Sequence, residues 1–584
     1  MKYAELVEVY EKLDSTSKRL EKTEIISKLL KKASTEELKI IVLLLQGRVY
    51  PVWDERKLGV ASRLVLKSLN IASGINTKDI ESKWAKLGDL GLVAEHIVGK
   101  KKQSTLFSSD LTVKKVFENL KKLTGLEGQG TVDRKIKLIA ELLTSAKPVE
   151  SKYIVRSVLG DLRVGIGEGS LRDAIVWAFL YPIRYNKEKN DIELSDEKRA
   201  EYNKIVDVLQ EAYDIANDFP EIAVIAKTKG IEGLAKVNLE IGKPIKVMLY
   251  QKAKDMEDAF DIVGKPAALE YKYDGFRLEL HRKKDKIWLF TRRLENVTKQ
   301  FPDVVNVIKS HIKSDNYILD AEVIGIDPKT KKWLAFQNIS QRIKRKYEID
   351  RMVKDIPVMV NIFDGVLVDS ENIIKKPFSE RRELLKKIVK EVPNKLQLAK
   401  EIITDDIKKA SKFYNEALGK GNEGIMVKSL DKPYKPGSRV GYGVKVKPIM
   451  ETLDLVIVGA DWGEGKRANW LSSFTIACID EDGNFLEVGK VGTGIKEKDE
   501  EGVSFNQLTK LLKTLIISEK GKKVKVKPKI VIEVSYEEIQ KSPTYSSGYA
   551  LRFPRLVNLR EDKPVDEAST ISMVKELYNK QRGR

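Results

Sequence analysis

One segment of the 584-residue chain groups side chains that could perform group-transfer chemistry. It reads Glu270-Tyr-Lys272-Tyr-Asp274-Gly275-Phe-Arg277, so that a lysine stands just before an aspartate–glycine turn. A lysine amine is protonated and inert at its ordinary pKa of about 10.4, but nearby cations or burial can lower that pKa and make the amine a nucleophile. By itself a Lys-x-Asp-Gly segment is short, and in a lysine-rich chain it is also compatible with a surface turn.

A series of further charged and aromatic residues follows in order, close to the ends of predicted strands. The series comprises Arg292 and Arg293 after KIWLFT, Glu322 in LDAEVIGID, Phe363 in NIFDGVLVD, Glu423 and Lys428 in EGIMVK, Arg439, Lys445 and Lys447 in and before YGVKVKP, and Arg552, Arg555, Arg560 and Lys563 in RFPRLVNLREDK. Carboxylates suit Mg²⁺, cations neutralise phosphate charge, and a flat ring can stack on a base. A lone arginine or lysine is usually solvated, whereas several that converge indicate a metal–nucleotide site.

The elements that must position these residues fall into three consecutive regions. Residues 1–225 show apolar residues at three- and four-residue spacing after Ser, Thr or Asp start signals, which predicts a mostly helical domain. Residues 226–448 alternate short β-branched runs with turns and helices, which predicts an α+β domain built on antiparallel sheets. Residues 449–584 contain short strands with glycine-rich turns and have about the size of a small OB-type β-barrel.

Composition narrows the classes of function. Lys and Arg total 107 against 86 Asp and Glu, and this net charge of +21 favours a polyanionic partner, above all nucleic acid. Cys478 is the single cysteine, which excludes an intrachain disulfide and a zinc site with two thiolates, and three histidines argue against a His-rich metal site. Because no apolar run reaches 18 residues, we expect no membrane partner and an intracellular protein.

The ordered series resembles the collinear motifs of the covalent nucleotidyltransferases. The helical N-terminal region and the ALRFPR segment near the end narrow the resemblance to ATP-dependent DNA ligases of the archaeal and eukaryotic replicative type. The resemblance implies a multidomain protein with an all-α DNA-binding domain (1–225), an α+β nucleotidyltransferase or adenylation domain (226–448) and a C-terminal OB-fold β-barrel (449–584). It also implies a monomeric enzyme that uses ATP and Mg²⁺, or Mn²⁺, and works in the cytoplasm of an archaeal-like cell.

The implied activity is the sealing of 5′-phosphate/3′-hydroxyl nicks in duplex DNA during replication, repair and recombination. It passes through a lysyl-AMP intermediate and a DNA-adenylate, and it releases pyrophosphate and AMP. By position in the resembled motifs, Lys272 is the nucleophile, Glu270 accepts from the adenine amino group, and Glu322 and Glu423 lie on the metal side. The remaining nucleotide-site residues are Phe363, which stacks on adenine, and the phosphate-neutralising Arg277, Arg292, Arg293, Arg439, Lys445 and Lys447. In the last motif Arg552, Arg555 and Lys563 are candidates for phosphate contact. For Phe363, the strand position is equally compatible with core packing.

A separate polar loop contains Gln103-Ser-Thr-Leu106-Phe107, which resembles a short sliding-clamp docking peptide. In such a peptide the glutamine caps a pocket and the apolar anchors fill a groove. Alternatively, Leu106 and Phe107 fold back onto the neighbouring helices. The docking interpretation depends on the ligase assignment, which makes a PCNA-like clamp a reasonable partner.

Two other classes of function remain open at this point. An RNA ligase or a capping-type guanylyltransferase shares the lysine chemistry, although neither normally has a basic helical domain of this size in front of it. A non-catalytic DNA-binding scaffold would explain the charge and the helices, but it would not need Lys272, Glu322, Glu423 and Lys445 together. The NAD-dependent ligases are disfavoured, because they carry a four-cysteine zinc module and this chain has one cysteine.

Overall fold

The computed structural model divides the chain into two compact units, one of Met1–Phe413 with Ile425–Val446 and one of Tyr414–Gly424 with Lys447–Arg584. It describes residues 1–100, 110–126, 128, 130–334, 336–343, 345, 347–437, 439–448 and 451–581, without the side chains of Gln337, Arg439 and Lys466. Within the described ranges no helix is both long and apolar enough to cross a membrane.

The first unit begins with the predicted helical region. Its helices and one short hairpin are α1 (Tyr3–Asp14), α2 (Arg19–Lys32), α3 (Thr35–Leu45), α4 (Ser62–Ser73), α5 (Thr77–Leu87), α6 (Leu90–Val98), α7 (Val113–Lys122), α8 (Thr131–Ser145), α9 (Pro148–Val158), α10 (Glu168–Ile175), β1 (Tyr185–Asn186), β2 (Asp191–Ile192), α11 (Asp196–Ala216) and α12 (Phe219–Ala235). The helical prediction is confirmed. Because α12 ends at Ala235, the expected domain limit at residue 225 falls inside a helix.

Sequence signals explain where these helices begin and end. Ser34 and Ser195 precede α3 and α11, and their side chains accept hydrogen bonds from backbone N–H groups of the first turn. Asn217 ends α11 in the left-handed conformation, and Gly230 interrupts α12 with a φ of 59°. The apolar faces of the helices pack into one continuous hydrophobic core.

The chain from Leu249 to Val446 is an α+β region with two sheets, and all of it except Tyr414–Gly424 belongs to the first unit. Its elements are β3 (Leu249–Lys252), α13 (Met256–Val263), β4 (Ala267–Lys272), β5 (Phe276–Lys283), β6 (Lys286–Thr291), α14 (Pro302–His311), β7 (Asn316–Ile326), β8 (Trp333–Leu334), α15 (Phe336–Ile343), α16 (Ile349–Asp355), β9 (Val358–Val368), β10 (Glu371–Asn372), α17 (Phe378–Ile388), β11 (Leu396–Leu398), β12 (Glu401–Thr404), α18 (Ile407–Gly419), β13 (Gly424–Ser429) and β14 (Arg439–Val446). One sheet has the order β10-β9-β7-β5-β6, with β8 and β11 at its sides, and the other has the order β12-β4-β13-β14-β3. The predicted antiparallel sheets are confirmed, although β11 with β9 and β14 with β3 form parallel pairs.

The second unit is rich in β-structure. Its elements are β15 (Leu453–Trp462), β16 (Leu471–Ile479), β17 (Phe485–Val491), α19 (Phe505–Lys513), β18 (Ile516–Lys520), β19 (Lys523–Val526), β20 (Val531–Ser535), β21 (Glu538–Lys541), β22 (Tyr549–Arg552), β23 (Arg555–Leu559) and α20 (Ile571–Lys580). The long β15 pairs with β16 on one side and with both β19 and β20 on the other, and a bridge from Thr493 to Arg555 links the chain after β17 to β23. The predicted β-rich domain is confirmed, and its closed OB-type barrel stays a prediction.

Candidate active site

A tight turn places Lys272. The lysine is the last residue of β4, and the Asp274–Gly275 turn reverses the chain into β5. An added Cβ on Gly275 would lie only 2.3 Å from the carbonyl oxygen of Val323 on β7, so only glycine fits between the turn and that strand. The sequence predicted this turn, and the structure adds the close contact that requires its glycine.

Three predicted residues lie on neighbouring strands of the seven-stranded sheet. Arg277 on β5 stands opposite Glu322 on β7, and both are partly exposed on strands that are otherwise almost wholly buried. Phe363 is the single partly exposed residue of β9 and occupies a β-bulge, because Ala321 pairs with Ile362 while Asp320 already pairs with Asp364. A bulge re-aims a side chain, so Phe363 does not pack as an ordinary core residue of this strand.

The five-stranded sheet contributes a second row of side chains. Met426 on β13 pairs with Lys445 on β14, and both are partly exposed, as is Lys272 on β4. An ion pair between Glu270 on β4 and Lys428 on β13 shows that these residues share one face of the sheet. Since side chains two residues apart point to the same side, Lys272, Met426 and Lys445 lie on that face too.

The two rows meet at Phe363. The Nζ atom of Lys428 lies 5.0 Å from the centre of the Phe363 ring and 4.6 Å from that of Phe378 on α17. The structure therefore brings together Lys272, Glu270 and Lys445 from one sheet with Phe363 from the other. An amine, a flat ring, carboxylates and cations around one point can bind a purine nucleotide and place its phosphates near the lysine.

Glu270 lies deeper than the other predicted residues. Its side chain is nearly inaccessible, with Oε2 2.5 Å from Nζ of Lys428 and Oε1 3.5 Å from Nη1 of Arg382 on α17. Arg382 also lies near Glu401, the residue opposite Glu270 on β12. Burial raises the pKa of Glu401 above its ordinary value, although Arg382 opposes the shift.

Arg277 is part of a buried network rather than a solvated cation. Its guanidinium forms an ion pair with Asp320 and donates to the Tyr434 hydroxyl at 2.8 Å, and that hydroxyl donates to Asp320 at 2.8 Å. Burial alone would lower the pKa of Arg277, but Asp320 and Tyr434 outweigh it and raise the pKa. Tyr434 comes from the segment between β13 and β14, so this network joins both sheets.

Several predicted cations lie apart from these rows. Arg292 and Arg293 occupy an exposed turn after β6. The side chain of Arg439, at the start of β14, lies outside the described part of the structure, and so do Gln103, Leu106 and Phe107.

The second unit holds the other predicted residues. Glu423 and Lys447 form an ion pair at 2.8 Å, and Lys447 also lies 3.4 Å from Glu537. Near the C-terminus, Arg552 pairs with Glu538 at 3.3 Å, and Arg555 is exposed on β23.

A second basic group in this unit is already paired. Lys563 and Arg560 both contact Asp454, at 2.8 Å and 3.0 Å. Of the three predicted phosphate contacts in this motif, the exposed Arg555 is therefore the most accessible.

A metal ion would need several acidic side chains or substrate oxygens around it. Among the described residues no three His, Cys, Asp or Glu side chains cluster closely enough to hold a metal by themselves. Glu322 in the first unit and Glu423 in the second each carry a carboxylate, which is a suitable kind of ligand for Mg²⁺, because this ion usually keeps several waters and takes one or two carboxylates together with substrate phosphates.

Sequence reasoning missed several residues of the site. The sequence motifs assign no role to Lys428, Met426, Arg382, Asp320 or Tyr434. Met426 was detectable, because it alternates with Lys428 in a predicted strand, and Asp320 was detectable in the same way from Glu322. Arg382 and Tyr434 carried no such signal, because each reaches the site from a distant part of the chain. A cavity of about 290 Å³ lined by Glu221, Lys236 and Lys243, among others, contains none of the predicted residues.

Comparison with known proteins gives consistent results over the whole chain. Residues 2–176, 247–447 and 467–563 match family models described as DNA ligase N terminus, ATP dependent DNA ligase domain and ATP dependent DNA ligase C terminal region. A protein named DNA ligase from Nanoarchaeum equitans is 49% identical over 586 residues, which cover 100% of this chain and 99% of that one. Another from Archaeoglobus fulgidus is 44% identical over 100% of this chain and 99% of that one. A solved structure named Pmar-Lig_Pre. shares the fold, with a TM-score of 0.58 at 16% identity over 95% of this chain and 99% of that chain.

Proposed function

Because the chain belongs to the ATP-dependent DNA ligase family, we propose that Lys272 is the residue at which it forms lysyl-AMP. The matches to family models and to curated relatives confirm the resemblance that the sequence motifs indicated, and the chain is an ATP-dependent DNA ligase. RNA ligation, capping and a purely structural role are not favoured, since the curated relatives are DNA ligases over their full length.

The observation that carries the assignment is the convergence on Lys272. It ends β4 beside a turn in which only glycine fits, it shares one sheet face with Met426 and Lys445, and Phe363 of the other sheet lies next to Lys428 on that face. In the first step the Lys272 amine attacks the α-phosphate of ATP, an N–P bond forms, the bond to pyrophosphate breaks, and the amine proton leaves to solvent.

The later steps transfer the same adenylate. AMP passes from Lys272 to the 5′-phosphate of a nick, and the 3′-hydroxyl then displaces AMP and seals the strand. Adenylation makes the phosphate electrophilic by adding a good leaving group, so the energy of ATP drives the joining reaction.

The remaining roles follow from position in the site. Phe363 and Met426 enclose the adenine, and Lys445 with Arg277 neutralises charge near the α-phosphate. Arg292, Arg293, Arg439 and Lys447 are the further phosphate candidates, and Arg552, Arg555 and Lys563 act from the C-terminal domain. Glu322 and Glu423 would hold Mg²⁺ or Mn²⁺, and the metal would draw negative charge from the phosphates.

The proposed partners follow from charge and from the family. DNA ligases act on nicked duplex DNA, and we assign its binding to the helical domain, with an adenylation domain up to residue 448 and an OB-type domain after it. Contacts to the sugar–phosphate backbone suit this task, because a ligase must act at any sequence. We further propose docking of a PCNA-like clamp at Gln103, Leu106 and Phe107, and action as a monomer in the cytoplasm.

A mass measurement tests the central assignment. Incubation of the full chain with ATP and Mg²⁺ should add one adenylate, and peptide mapping should place it on Lys272. An adduct on another residue would contradict the assignment, and nicked DNA added to the adenylated protein should then discharge it.

A further inference from the structure

The segment that joins the helical domain to β3 is fixed along one side of β5. We call residues 242–248 the strap; they form an irregular segment, so sheet pairing does not satisfy their backbone N–H groups. The N–H of Gly242 donates to Nδ1 of His281 at 3.0 Å, and the N–H of Ile245 donates to the two carboxylate oxygens of Glu279 at 3.3 Å each. His281 and Glu279 are buried and stand two positions apart on β5, so they point to the same side of that strand.

Tyr434 connects the strap to Arg277. Its hydroxyl accepts a hydrogen bond from the N–H of Met248 at 3.3 Å and another from the Arg277 guanidinium at 2.8 Å, and it donates to Asp320 at 2.8 Å. A hydroxyl has one donor and two acceptor positions, so all three are in use. Because the Tyr434 side chain is only 2% exposed, water is kept from this hydroxyl, and a lost partner would leave a buried polar group unpaired.

The other side of the strap contacts the helical domain. Nζ of Lys246 lies 2.6 Å from both carboxylate oxygens of Glu168, the first residue of α10, and it donates to the Tyr213 hydroxyl of α11 at 2.9 Å. Nζ of Lys243 lies 2.6 Å from a carboxylate oxygen of Glu221 on α12. The strap therefore gives its lysine side chains to the helical domain and backbone N–H groups to the adenylation domain.

Arg277 is the residue through which these contacts reach the nucleotide site. It lies two positions before Glu279 on β5, on the side that faces the strap. Its Nε and Nη2 atoms are taken by Asp320 and Tyr434, and its Nη1 atom makes no hydrogen bond to any described residue. The guanidinium carbon lies 5.8 Å from the centre of the Phe363 ring, beside which we place the adenine. Nη1 is therefore the donor that remains for an oxygen of the nucleotide, and Asp320 and Tyr434 set its direction.

We propose that the strap is a positioning element of the adenylation reaction, through which the helical domain holds the Arg277 guanidinium in place. Lys246 anchors the strap to the helical domain, and Tyr434 is the positioning residue that connects the strap to Arg277. This inference rests on the proposed function, because it assumes that Arg277 stabilises charge at the α-phosphate when Lys272 attacks. The helical domain then supports the first step of the reaction in addition to binding DNA.

The effect of a broken strap is expected in the rate of the reaction and not in the binding of ATP. A guanidinium that shifts by about 1 Å loses much of its contact with the charge that grows at the phosphate in the transition state. The groups that enclose the adenine stay in place, so ATP still binds. We therefore expect kcat to fall while KM for ATP changes little.

Two substitutions break the strap at its two ends. The test measures self-adenylation of the full chain with Mg²⁺ at several ATP concentrations, by mass spectrometry below the melting temperature of each variant. Tyr434→Phe removes the hydroxyl that holds Arg277, and we expect kcat to fall about tenfold. Lys246→Met removes the contact to Glu168, whose side chain is 55% exposed, so we expect a smaller fall of roughly two- to fivefold.

The double variant distinguishes a connected strap from two separate effects. If Lys246 acts through Tyr434, adding Lys246→Met to Tyr434→Phe should slow adenylation no further, because Arg277 has already lost the strap. Lys246→Arg keeps the positive charge and should restore most of the rate that Lys246→Met loses.

Each substitution has a matched control. Tyr317→Phe removes the same group from a buried tyrosine of β7, whose hydroxyl has no hydrogen-bond partner among the described residues. Lys375→Met removes another ion pair between the two domains, 3.2 Å from Glu211 of α11, which does not involve the strap. Both control variants should adenylate at the rate of the wild type.

The proposal is overturned if Tyr434→Phe adenylates as fast as Tyr317→Phe, if Lys246→Met adenylates as fast as Lys375→Met, or if the two effects multiply in the double variant. If Tyr434→Phe does not fold, the comparison of Lys246→Met with Lys375→Met and Lys246→Arg decides, and equal rates in all three overturn the proposal. A wild-type protein that forms no adduct on Lys272 would instead contradict the proposed function, which the mass measurement detects separately.

Discussion

Gly275 offers a sharp test of how the turn positions Lys272. In Gly275→Ala the new methyl group would start 2.3 Å from the carbonyl oxygen of Val323, whereas ordinary contact begins at 3.4 Å. The turn or β7 must therefore move by about 1.1 Å, the difference between the two distances. Overpacking of this kind costs roughly 1–3 kcal/mol of folding free energy.

The catalytic consequence exceeds the loss of stability. Movement of the turn displaces Lys272, and movement of β7 displaces Glu322, the neighbour of Val323. A misplacement of about 1 Å at a reacting group costs on the order of 10²-fold in rate. We expect single-turnover self-adenylation with ATP, followed by mass spectrometry below the melting temperature of the variant, to slow by about that factor.

Gly441→Ala provides the control. Gly441 lies on β14 of the same domain, and a Cβ there would meet the nearest side-chain atom, Cγ2 of Ile262, at an ordinary 3.6 Å. This variant should adenylate near the wild-type rate. If Gly275→Ala and Gly441→Ala adenylate equally fast, the close approach of turn and strand does not position Lys272, and the reasoning fails.

Three further predictions concern other parts of the chain. Lys272→Ala should form no AMP adduct yet seal a nick that already carries 5′-AMP, and Lys272→Arg should also fail because guanidinium stays protonated; an adduct on either variant would refute the nucleophile. If the loop docks on a clamp, changing Leu106 and Phe107 to Ala should abolish most clamp capture and spare clamp-free ligation, whereas lost thermal stability with retained capture would favour core packing. Burial raises the pKa of Asp214 from 3.8 to about 6, so the folded protein favours the neutral carboxyl group. The contribution of Asp214 to the free energy of unfolding is therefore fully present at low pH and is lost as pH rises from about 4 to 6. Asp214→Asn should then increase the free energy of unfolding at pH 7 by at most about 3 kcal/mol and leave it unchanged at pH 4, which denaturant titrations at both pH values can check.

The parts of the site that the sequence predicted are local. The position of Lys272 at a strand end before a glycine turn was predictable, because both signals are contained in a few consecutive residues. The order of strands and helices followed likewise from periodicity within each segment. The ligase motifs then supplied roles that periodicity alone does not give.

The parts that were not predictable depend on long-range pairing. The contacts that hold Arg277 could not be foreseen, because Asp320 and Tyr434 lie 43 and 157 residues away from it in the chain. The link from Glu270 to Lys428 and Arg382 likewise spans more than a hundred residues of chain. Such contacts are fixed by strand register and sheet order, which no local pattern encodes.

Phe363 shows that a shift of one residue in strand register determines which side chains of β9 are buried and which are exposed. Through the bulge, Asn361 and Asp364 face the same side of β9 although they are three positions apart, since they stand opposite Glu322 and Asp320. Asn361 then donates to the Glu322 carbonyl at 3.2 Å, and Asp364 receives Arg381 in a buried ion pair. A strand without the bulge could satisfy only one of these partners, because alternate residues point to opposite faces. The exposure of the Phe363 ring therefore follows from two buried polar contacts on either side of it, and the place beside the nucleotide that we propose for it depends on how the sheet satisfies them.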